Sequence, residues 1–155
     1  MCLYADIKET AAFKKKYKNC HQIKVWKVVV AGDKNEDRQF TVDWQIRSWH
    51  FRSFWKAGWK TSGARKPKSL KPRYGSYKKE INKGIHVFLT RKRMKQSNYT
   101  HDATRDCYIL PLTVDIRDLI AVDNKGSGVF TKAHLAESTH KRIMKQILKD
   151  KGPSI

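Results

Sequence analysis

The chain has 155 residues, 39% hydrophobic and 11% aromatic, with a formal net charge of +20 and a pI near 10.1. That size suits one core and a single domain over 1–155, and the wealth of Trp, Val and Ile excludes a disordered chain. No apolar run could span a bilayer and no signal-peptide core opens the sequence, so a cytoplasmic protein with no membrane partner is expected.

In chain order, Asp6 to Lys18 reads as a short basic helix, with Ile7, Ala11 and either Phe13 or Tyr17 inward. Ile23 to Val30 has strand composition, and Gly32-Asp33-Lys34-Asn35 supplies turn chemistry. Gln39 to Arg47 alternates, with Phe40, Val42, Trp44 and Ile46 on one face. This is a second strand, antiparallel to the first through a hairpin. From Ser48 to Lys83 the periodicity breaks down among Gly58, Gly63, Pro67, Pro72 and Gly75, and a long, partly ordered loop region is expected.

Regular structure resumes at Ile85 to Thr90, followed by a short helix from about Arg91. Cys107 to Val114 and Asp118 to Val122 read as strands, with Pro111 implying an edge or a bulge. Asn124 to Gly128 is a flexible turn, and Val129 to Leu135 a last strand. Ser138 or Thr139 then caps a helix with Ile143, Met144, Ile147 and Leu148 inward, stopped by Gly152-Pro153. The order predicts an α+β protein: a mostly antiparallel sheet, a long basic aromatic loop region, and helices at both ends.

Between Arg47 and Lys79 lie eleven Lys or Arg and no Asp or Glu. Self-repulsion at such charge costs stability, so an anionic partner is expected. Trp44, Trp49, Trp55 and Trp59 lie in or beside this segment, with Phe51, Phe54, Tyr74 and Tyr77. Cations attract phosphates and release their counterions, while flat rings stack on unpaired bases. Trp44 belongs to the core by its phase with Ile46. The candidate nucleic-acid-binding residues are Arg47, Arg52, Trp55, Lys56, Trp59, Lys60, Arg65, Lys66, Lys68, Lys71, Arg73, Lys78 and Lys79. The pattern does not separate DNA from RNA.

Other motifs lead to plainer readings. His21, His50, His86, His101, His134 and His140 lack metal-ligand spacing, so no metal or cofactor is expected. His86 follows Gly84 in a strand and reads as a structural histidine. The odd count of cysteines, Cys2, Cys20 and Cys107, argues against a disulfide framework, and Cys2 reads as an inert thiol. Gly126-Ser127-Gly128 lacks the Lys-Ser/Thr of a phosphate loop.

MCLYADIKET, VWKVVV, NKGIHVFLT at Asn82 to Thr90 and DLIAVDNKGSGVFTKAHL at Asp118 to Leu135 together resemble a group of small phage and prophage proteins. That resemblance implies a virus-infected cell as the setting and no particular activity. The order of elements also has a remote likeness to ADP-ribosyltransferase-like folds. There an early strand carries a nucleotide-binding His or Arg and a later one a catalytic Glu. Here the first strand offers Trp26 and Lys27, and the last strands offer no Glu.

The residues favour a non-catalytic accessory protein that binds nucleic acid or a ribonucleoprotein. The alternatives are an inhibitor of a host defence or transcription complex acting by protein–protein contact and, more weakly, a nucleotide-binding or transferase-like enzyme. The enzyme reading requires a pocket converging on His86 with a carboxylate nearby.

Overall fold

The alternating runs become the central strands of the computed structural model, which describes residues 3–33, 44–48, 53–72, 78–96 and 107–151. Strand β2 (Ile23–Asp33) pairs antiparallel with β8 (Cys107–Val114), from Ile23↔Val114 to Val30↔Cys107. Ile23, Val25 and Val29 then lie on one face with Val114, Leu112, Leu110 and Tyr108, all buried. The period of two puts these β-branched and leucine side chains on one side of the sheet.

The other edge of β2 changes partner along its length. Trp26 pairs with Phe88 of β7 (Ile85–Phe88). From Val29 to Asp33 the same edge pairs with β3 (Trp44–Ser48). β3 in turn pairs with β4 (Phe54–Trp55) through Ile46↔Trp55 and Arg47↔Phe54. Between the two partners, at Lys27 and Val28, the sheet splits.

The sheet runs in the order β5-β11-β8-β2-β7-β10-β9, where β5 is Gly58–Thr61, β9 Leu119–Val122, β10 Ser127–Phe130 and β11 Lys132–Leu135. All described ladders are antiparallel. A separate ribbon joins β1 (Leu3–Ala5) to β6 (Lys79–Ile81), also antiparallel. Helix α1 (Ile7–Lys16) follows β1, short α2 (Arg91–Gln96) follows β7, and α3 (Glu137–Lys151) ends the described chain. The protein is of the α+β class.

Several expectations need correction. The region from Ser48 to Lys83 carries three short strands, β4, β5 and β6, instead of one long loop. Val129 to Leu135 is two strands, broken where Thr131 N–H bonds the Asp118 carbonyl. The turn at Asn124 is the β9–β10 hairpin, with Asp123 Oδ1 accepting from Lys125 and Ser127 N–H. Helix α3 begins at Glu137, ahead of Ser138 and Thr139. It buries Ile143 and Ile147 and half-buries Met144, but leaves Leu148 exposed. In α1 Ile7 and Ala11 are exposed, Phe13 and Tyr17 pack half-buried on the core, and the buried residue is Thr10. Its hydroxyl meets both the carbonyl and the N–H of Val122, a pairing no apolar side chain could make. Pro111 sits in β8 opposite Trp26, where only β2 is beside it, because β11 meets β8 only at Thr113. Phe40, Val42, Lys34, Asn35, Gly152 and Pro153 lie outside the described residues.

Gly84 fixes the start of β7. Its φ is +126°, and a Cβ there would stand 2.4 Å from Val129 Cγ1, so both backbone and space demand glycine.

Candidate nucleic-acid interface

On the face opposite the buried rows, Val28 of β2 packs under Met94 of α2 and Phe88, while the end at Lys24 and the parts on β11 and β5 stay open. Register places Lys24 beside Thr113, Thr113 beside His134, and His134 beside Trp59. This makes one straight row across four strands. Trp59 is 57% exposed, and its ring meets His134 edge-on with centroids 5.1 Å apart. Lys24 is exposed, and Thr113 and His134 are partly so. The next row pairs exposed Lys132 with exposed Thr61, and Ile109 adds an apolar side chain, also exposed. Flat rings flanked by lysines on an open sheet face can stack bases and hold phosphates.

Of Trp55 and Trp59 only the latter can serve this way, and Trp49 lies outside the described residues. Trp55 is 2% exposed, its Nε1 donates to Ser48 Oγ at 2.9 Å, and it fills the core beside Ile46. It is a structural residue, which corrects the sequence reading. Arg47 lies on β3 with its stem over Gly32, where a Cβ would be 2.8 Å from its Cδ. Arg47 is thus part of the sheet and not of a basic loop.

The basic segment after β5 is a strap pinned at intervals. Ser62 bonds Thr131 through main chain and hydroxyl, and Lys66 Nζ donates to the Arg117 carbonyl. Ala64 and Leu70 pack on the cluster of Leu3, Ala5, Ile81, Ile120, Ala121 and Val129. Lys56, Arg65, Lys66, Lys68 and Lys71 are exposed along or beside it. Two other candidates have structural work: Lys78 pairs with Asp6 at 2.8 Å, and Lys79 donates to the Ser69 carbonyl. Arg52 and Arg73 lie outside the described residues.

The split in the sheet opens a cleft of about 570 Å³. In a flat sheet β5 and β7, four strand spacings apart, would stand ~19 Å from each other. Here Lys60 and Thr61 of β5 and Ile85, His86 and Phe88 of β7 line one cavity, so the sheet curls around it. Lys27 falls in phase with Val25 and Val29, on the inward face. It is half-buried where it lines the cleft. Its Nζ donates to the His86 carbonyl at 2.8 Å. Desolvation, helped by the charge of Lys60, lowers its pKa to about 8. Lys60 Nζ donates to the Phe54 carbonyl at 2.8 Å and stands 5.1 Å above the Trp55 ring; desolvation lowers its pKa too.

The cleft does reach His86, as the enzyme reading required. But no Asp or Glu is among the described residues lining it. The two ring nitrogens of His86 face the Ile81 and Gly84 carbonyls at 3.0 and 3.2 Å. Burial holds its pKa below the ordinary value, against the pull of those carbonyls. Each ring nitrogen thus lies against a main-chain carbonyl, and the neutral ring donates its one N–H to one of them.

Sequence reasoning passed over Lys24, Lys132 and His134, because their alignment with Trp59 depends on which distant strands pair. Lys27 left a clearer signal: a lysine in phase with a row of core valines. The molecule is thus an α+β protein with an open, basic, aromatic sheet face on one side and a cationic cleft on the other. No protein-family model, curated protein or solved structure matches the chain. No helix among the described residues is long and apolar enough to cross a membrane.

Proposed function

We propose that the protein binds nucleic acid without catalysis, laying an unpaired strand on the open face of its sheet. The observation that carries this reading is the row Trp59–His134–Thr113–Lys24. An exposed tryptophan edged by a histidine offers a stacking platform, and base faces are available for stacking only where they are unpaired. Lys24 ends the row and Lys132 borders it, and the exposed Lys56, Arg65, Lys66, Lys68 and Lys71 add sequence-neutral phosphate contacts. A charge of +20 supplies long-range attraction for any polyanion. The main-chain carbonyls that flank the His86 ring, with no carboxylate among the described lining residues, favour binding over catalysis. In this reading the protein is an accessory factor working in the cytoplasm, and the sequence resemblance supplies a phage-infected cell as its setting.

Fluorescence anisotropy with a labelled single-stranded oligonucleotide tests the reading. With ~6 phosphates neutralised, affinity falls on the order of 10³-fold between about 50 and 200 mM salt. A single strand is bound more tightly than a duplex of the same length. An affinity indifferent to salt, or a preference for the duplex, contradicts the proposal.

A further inference from the structure

The cleft at the split of the sheet is a second site, distinct from the open face. Lys27 and Lys60 come from β2 and β5, yet both line the same cavity. Each ammonium has three N–H groups, and each gives one to a main-chain carbonyl, His86 for Lys27 and Phe54 for Lys60. No carboxylate among the described lining residues answers either charge. Two desolvated cations facing one cavity repel each other, a costly arrangement unless an anion joins them.

The surroundings suit a phosphate group. Ser48 and Ser53 bring hydroxyls to the wall, and Asn82 brings an amide. Ser48 Oγ accepts from Trp55 Nε1, which leaves its own O–H to donate elsewhere. The volume, about 570 Å³, far exceeds a bare phosphate and lies within the range of pockets for small organic ligands. Val28, Ile85 and Phe88 make the remaining wall apolar.

We infer that this cleft binds the phosphomonoester of a nucleotide, with Lys27 and Lys60 clamping the phosphate and the Ser48 and Ser53 hydroxyls completing its shell. The ligand is either a free nucleoside monophosphate or the phosphorylated end of a strand. The site takes a dianion at one point, unlike the open face, which takes a chain of monoanions.

Isothermal titration of the wild-type protein with a nucleoside, its 5′-monophosphate and inorganic phosphate is the first test. The monophosphate is expected to bind, inorganic phosphate more weakly, and the nucleoside not at all. Lys27→Met and Lys60→Met, each checked for folding by circular dichroism, weaken the monophosphate by about tenfold or more. Equal binding of nucleoside and monophosphate to wild type, or no binding of either, overturns the inference whatever the variants do.

A 5′-phosphorylated oligonucleotide compared with its 5′-hydroxyl form then separates the two sources. A gain from the phosphate that Lys27→Met removes assigns the cleft to strand ends. Monophosphate binding without such a gain assigns it to free nucleotide. The 5′-hydroxyl strand reports on the open face alone, so failure there counts against the proposed function and not against the cleft.

Discussion

Lys27→Met raises the stability of the protein at pH 7, by on the order of 2 kcal/mol. In the folded protein burial and the Lys60 charge bring the Lys27 pKa down from 10.5 to about 8. At pH 7 the ammonium is charged in both folded and unfolded chains, and the folded state bears the whole cost of desolvating it. Between pH 8 and 10.5 the folded protein has released the proton while the unfolded chain still holds it. Wild-type stability therefore gains from Lys27 as pH rises through this window. Methionine has similar length and no charge, so its advantage shrinks from pH 8 upward and is nearly gone near pH 10.5. Urea denaturation of both proteins at pH 7 and pH 10 measures the two gaps. A variant less stable than wild type at pH 7 would mean that the bond to the His86 carbonyl outweighs desolvation. A residue that costs stability at its own position is the mark of a site kept for something other than folding.

Trp55 and Trp59 of the basic segment respond oppositely to truncation. Trp59→Ala weakens single-strand binding by roughly 5- to 150-fold, the equivalent of one lost base stack at about 1–3 kcal/mol. Its effect on stability stays near 0.5 kcal/mol, because the ring is on the surface. Trp55→Ala instead costs about 3–5 kcal/mol of stability, since its ring is enclosed and its Nε1–Ser48 bond is lost with it. Adding Lys24→Ala to Trp59→Ala lowers the salt slope by about one further unit. Anisotropy titrations at several salt concentrations, beside thermal melts of each variant, check all three statements. Normal binding by a folded Trp59→Ala protein would remove the row from the interface.

Where the chain alternates over five residues or more, the fold was legible. Composition announced β2 and β8 as strands, and the alternation up to Ile46 announced the buried face of β3. Strands β4, β5 and β6 run for two to four residues, too short to show a period among glycines and prolines. They therefore looked like loop, and their aromatics looked free. The separate fates of Trp55 and Trp59 follow from the turn between β4 and β5, which no composition shows. Thr10 illustrates a different limit. A hydroxyl in a helix reads as outward, and only the end of β9 beside it explains its burial. The basic character was plain from the residue counts, but its division between an open face and a cleft rests on the curl of the sheet.

Ultraviolet cross-linking of a bound single-stranded oligonucleotide, read out by peptide mass spectrometry, tests the open-face assignment most directly. The account predicts adducts at Trp59 and His134, with Lys24 or Lys132 beside them, and their loss as salt is raised. Adducts confined to helices α1 and α3, with the row from Trp59 to Lys24 untouched, would contradict it.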